Sequence, residues 1–106
     1  MSVAIKKFGA GQPETLTEFA TLHGLVIEVL ERSRVLGSHR YCASLERVEI
    51  MDRSCLIGAH GNGSSPDEAM AAYARELAGR RIAIDAYKPE RREIDVPNNF
   101  HHEVRP

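Results

Sequence analysis

Four residues have the types and the spacing of a metal site. His39, Cys42, Cys55 and His60 form a His-x2-Cys-x12-Cys-x4-His run, the ligand set of a zinc finger in an unusual order. The strand pattern around them argues against that use. Tyr41 to Ile50 and Cys55 to Ala59 read as two strands joined by a turn over Met51-Asp52-Arg53-Ser54. A turn centred on Asp52-Arg53 sets Ile50 opposite Cys55. Cys42 then lies eight residues up the strand, about 26 Å away at roughly 3.3 Å per residue. Zinc donors must sit within about 2.3 Å of one ion, and a disulfide needs Cα atoms within about 7 Å. Both cysteines are therefore read as small half-buried hydrophobes in a reducing compartment, with no metal and no cofactor expected.

The remaining polar residues build no reaction site. A nucleophile needs a base, and the base an orienting group; no histidine faces Cys42 or Cys55 in this register. Ser64-Ser65 is accounted for by helix capping. His23 falls on the apolar edge of a helix, and His101-His102 sit beside Glu103 near the end of the chain, where mobility is the rule. The expectation is that the chain is not an enzyme. Arg80-Arg81 and Arg91-Arg92 are basic pairs, but residues 80–106 hold acids at 85, 90, 93, 95 and 103, so a solvated, internally paired edge is expected. His39, Arg91 and Arg92 are left as candidate partner contacts.

The elements that position these residues follow from periodicity. Leu16, Phe19, Ala20 and His23 recur at helical spacing, so a first helix is expected over 13–23. Thr15 and Glu18 form a capping box at its start, or Pro13 sits in its first turn, and Gly24 supplies its left-handed cap. Leu25 to Leu30 is rich in β-branched residues and reads as a strand. Tyr41, Ala43 and Leu45 share one face, while Val48 and Ile50 take the opposite parity, which predicts a β-bulge near Glu46-Arg47. Gly61-Asn62-Gly63 reads as a Gly-rich turn. A second helix starts after Ser65 with Pro66 and Glu68, carries Ala69, Met70, Ala72, Tyr73 and Leu77, and ends at Gly79. Arg81 to Tyr87 alternates as a fourth strand, and Ile94 with Val96 suits a short added edge strand. The fold class is α+β: α-β-β-β-α order with an added C-terminal strand, an antiparallel sheet with two helices on one face. Residues 1–97 form a single domain, and 98–106 a flexible C-terminal tail.

At 106 residues with a net charge of -1, the chain is one domain's length and lacks the excess of basic charge that drives non-specific nucleic-acid or membrane-surface binding. Met1 to Lys7 lacks an apolar leader and no run reaches about 20 apolar residues, so a cytoplasmic protein without a membrane span is expected.

The element order resembles the double-stranded-RNA-binding domain. The residues concerned are Pro13 to Glu18 in the opening helix, Gly37-Ser38-His39 before strand two, Gly61 to Ser65, and Ala69, Ala72 and Ala74 in the second helix. That family holds phosphates with lysines at the start of its second helix. Here the stretch is Pro66-Asp67-Glu68-Ala69-Met70, whose acids repel phosphate, so dsRNA binding in the usual mode is not expected. The Gly-x-Gly-x-Ser-Pro-Asp-Glu-Ala run is also similar to HicB-type antitoxins, which implies a dsRBD-like domain that binds a protein. Gly61 through Arg91 to Pro97 resembles small uncharacterised proteins of phages and prophages of Gram-negative bacteria. The resulting expectation is a non-catalytic binding module of phage or prophage provenance, working through an unknown protein partner or as a homo-oligomer. The alternative is a nucleic-acid-binding protein using loops of the same fold.

Overall fold

A computed structural model describes residues 12–32 and 40–103. Helix α1 (Leu16–His23) opens on Thr15, whose Oγ1 accepts a hydrogen bond from the Glu18 N–H at 3.3 Å. One orphan donor of the first turn is thereby satisfied. Gly24 closes the helix at φ 63°, its N–H directed at the Ala20 and Thr21 carbonyls. The helix begins later than 13 because Thr15 is extended and forms a parallel bridge with His101.

Two antiparallel sheets follow. The first has the order β1 (Ile27–Glu31), β2 (Tyr41–Leu45), β5 (Gly61–Gly63); the second runs β4 (Cys55–Ile57), β3 (Val48–Asp52), β6 (Arg81–Ile84), β7 (Arg92–Asp95). The class is α+β; the expected second strand is divided into β2 and β3, the third is β4, and Gly61–Gly63 adds β5 ahead of the second helix. The expected bulge at Glu46-Arg47 is instead a corner. Arg47 adopts φ 67°, and the chain passes there from the first sheet to the second. Leu45 and Val48 are both buried, so the parity switch reflects a change of sheet. Arg47 pins the corner, donating to the Gly24 carbonyl and pairing with Asp85 at 3.1 Å.

The hairpin turn falls at Arg53-Ser54, since Asp52 pairs with Cys55 and Ile50 with Ile57. This corrects the expected register by two residues. Arg53 takes φ 59°, the left-handed conformation that tight hairpins favour. Strand β6 stops at Ile84, short of Tyr87, because Asp85 turns to φ 53°.

Gly61 and Gly63 are strand residues and not a turn. They pair with Ala43 and Tyr41, and helix α2 (Pro66–Leu77) lies directly on them. A Cβ at Gly63 would stand 2.6 Å from the Ala69 nitrogen, and one at Gly61 would overlap the Tyr73 backbone. Ser65 caps α2 by accepting from the Glu68 N–H at 3.1 Å. The Glu68 carboxylate reaches back to the N–H and hydroxyl of Ser64, and that hydroxyl bond holds its pKa below the usual carboxylate range. Ala69, Tyr73, Ala74 and Leu77 are buried in one core with Leu16, Phe19, Ala43, Leu45, Ile82 and Ile84.

The segment 98–103, expected in a loose tail, is anchored at Phe100, His101 and His102. Phe100 is 3% exposed and meets Phe19 edge-on at 5.4 Å. His101 exchanges backbone bonds with Glu14 and Leu16, each 2.9 Å. Burial of the Phe100 ring against Phe19 and the two His101 backbone bonds oppose the entropy lost in ordering the segment. Among the described residues, no helix is long and apolar enough to cross a membrane.

Candidate interaction surface

Strand β1 is the outer strand of the first sheet. The Glu46 N–H donates to the Val26 carbonyl at 3.0 Å, and the Arg32 N–H to the Arg40 carbonyl at 2.8 Å. In an antiparallel ladder, hydrogen-bonding residues alternate. Val26, Glu28, Leu30 and Arg32 therefore aim their main-chain groups at β2, while Ile27, Val29 and Glu31 aim theirs away. No strand among the described residues pairs with that outward side.

Side chains alternate as well. Ile27 and Val29 pack against the core. Val26 and Leu30, on the other face, are 57% and 56% exposed. This face continues across the sheet through Ser44 and Cys42, opposite Glu28 and Leu30, and through Asn62, opposite Cys42. Arg32 donates to the Asn62 side chain at 2.8 Å. Glu28 shares a hydrogen bond with Glu46, which raises the Glu28 carboxyl above its usual range, burial adding to the effect. Edge strands are ordinarily protected by charged side chains, proline or a bulge; Ile27–Glu31 has no proline or lysine and carries two glutamates, Glu28 and Glu31. Its outward charge, Glu31, is paired with Arg40 at 2.6 Å.

The residues singled out from sequence are placed elsewhere. His39 lies outside the described residues. Arg91 and Arg92 are adjacent but face different partners. Arg91 pairs with Glu93 at 3.3 Å and reaches the Met51 sulfur. Arg92 donates to the His23 carbonyl at 3.3 Å and stands 3.4 Å from the His23 Nδ1. A cation there suits the negative end of α1. Burial, then the Arg92 charge, lowers the pKa of His23. Arg81 is held by Glu93 and Asp95, so this edge carries its own neutralising acids. Cys42 and Cys55 belong to different sheets and are free thiols.

One feature escaped the sequence reading. The His102 side chain is 6% exposed, with its Nε2 3.0 Å from the Asp67 carboxylate. It borders a cleft of about 420 Å³ with Thr15, Thr17, Glu18, Asp67 and Glu103. A carboxylate-held imidazole is an oriented base, but no serine or cysteine among the described residues lines the cleft. The Thr15 hydroxyl is already engaged as the α1 cap. The one signal for this pairing was Phe100, an isolated aromatic immediately before the two histidines. In comparisons with known proteins, no family model, curated protein or solved structure matches the chain.

Proposed function

We propose that the chain is a non-catalytic binding module that accepts an extended segment of a protein along the outer edge of β1, where no described strand pairs. The observation that carries this reading is the outward-facing main chain of Ile27, Val29 and Glu31, flanked by exposed Val26 and Leu30. In strand addition, main-chain hydrogen bonds supply affinity and alternate side chains supply selectivity. The resemblance to phage and prophage proteins, together with two free thiols, supports a prophage-encoded protein acting in a reducing cytoplasm.

The rival reading, nucleic-acid binding through loops of a dsRBD-like fold, has less support. Asp67 and Glu68 occupy the first turn of α2. Arg81 and Arg91 are engaged by Glu93 and Asp95. Retardation of duplex or single-stranded nucleic acid that fades steeply with salt would favour this rival.

The edge reading is tested with Val29→Pro. The Val29 N–H faces away from β2, so proline removes an edge donor while sparing the β1–β2 ladder. A protein captured stoichiometrically by the natural chain should be lost from this variant. Equal retention by both places the contact elsewhere.

A further inference from the structure

We infer that the strand accepted at this edge is β1 of a second copy of the chain, antiparallel about a two-fold axis through Leu30. This rests on β1 as a strand-accepting edge and adds its occupant. Because Ile27, Val29 and Glu31 carry the outward main-chain groups, they must pair with one another across the axis, which leaves few registers. An axis at Glu28 sets Glu28 against its own copy, and like charges directly opposed are destabilising. An axis at Val29 sets Glu28 against the partner's Leu30.

An axis at Leu30 satisfies the exposed face. Leu30 meets the partner's Leu30 at a non-hydrogen-bonded position, where side chains approach most closely. Glu28 meets the partner's Arg32, and the pair is repeated on the other side of the axis. Val29 and the partner's Glu31 exchange main-chain hydrogen bonds. The exposed Leu30 is covered. Glu28, crowded against Glu46 in the single copy, gains a guanidinium. Arg32 lies over this face with its guanidinium on Asn62 of β5, and it turns from there to the outer edge when the pair forms. Pairing also joins two three-stranded sheets into one continuous sheet and covers both outer β1 edges.

A short strand pair makes a small interface, of the weak and transient class. Sedimentation equilibrium of the full chain is therefore run from about 10 μM to about 1 mM. The expected result is a reversible monomer–dimer equilibrium, abolished by Val29→Pro. Glu28→Arg should weaken the dimer about tenfold, and Glu28→Arg with Arg32→Glu should restore it. In a Cys42→Ala, Cys55→Ala background, Leu30→Cys should oxidise to a linked dimer, and Glu28→Cys should not. A natural chain that stays monomeric at about 1 mM overturns self-pairing; the edge reading is then decided separately by partner capture. A dimer that survives Val29→Pro overturns the proposal and the edge reading as an account of it. Cross-linking at 28 instead of 30, or no rescue by charge exchange, overturns the register and the proposal with it.

Discussion

Tyr73 shows how one atom can set a stability profile. Its ring is fully buried, and its hydroxyl is enclosed with no well-formed hydrogen bond. The nearby Leu45 backbone offsets burial in part, yet burial still pushes the pKa up to about 12. An unfolded tyrosine titrates near about 10. The folded state therefore resists ionisation, and its stability is complete below pH 10 and lost as the pH rises toward 12. The slope is at most about 1.4 kcal/mol per pH unit. Tyr73→Phe should flatten this loss in urea unfolding at high pH. At pH 7 it should leave stability within about 1 kcal/mol of the natural chain or raise it, because an unsatisfied polar atom is removed. A loss above about 2 kcal/mol at pH 7 would instead reveal a strong bond at the hydroxyl. Residues governed by their immediate neighbours were legible in sequence: Thr15, Gly24, Ser65 and Pro66 each do the local job their type suggests. Gly61 and Gly63 were not. A glycine's usual role is a turn, whereas here the missing side chains admit a helix packed in three dimensions.

Among the elements, α2 depends most visibly on its ends. Its cap joins Ser65 to the Glu68 N–H, and Glu68 to Ser64. Ser65→Ala should cost about 1 kcal/mol in chemical unfolding, since α2 carries Tyr73 and Leu77 into the core. The same cap predicts acid sensitivity. The Glu68 pKa is depressed on folding, so its contribution is present above the usual carboxylate range and fades as the pH falls through the folded value. Strand identity was legible for β1 to β3, and the parity switch at Glu46-Arg47 was visible as a departure from alternation. Its meaning was not, because a bulge within one sheet and a corner between two sheets leave the same pattern. The choice falls to Arg47, whose left-handed backbone is braced by Gly24 and Asp85. Register failed for a similar reason: a turn one residue later shifts every pairing, and only the Arg53 conformation selects it.

At the scale of the molecule, the C-terminal segment ties the starts of both helices together. Phe100 fills the core beside Phe19, His101 bridges Thr15, and His102 reaches Asp67. Phe100→Ala should destabilise the domain by about 3–5 kcal/mol, a large share of the roughly 5–15 kcal/mol of a typical domain. Thermal unfolding measures this directly, and a change below about 1 kcal/mol would mark the segment as the loose tail that its composition suggests. The α+β class, the helix caps at Thr15, Gly24 and Ser65 and the alternating strands are written in the local sequence, because propensity, capping and alternation act over a few residues. Tertiary structure alone decided the division into two sheets, the burial of Phe100 and His102, and the separate partners of Arg91 and Arg92. It also decided that β1 lies at the outside of its sheet with the Val29 main chain facing away from β2. These depend on contacts between residues tens of positions apart, and no local pattern in the chain encodes which strand a sheet leaves at its edge.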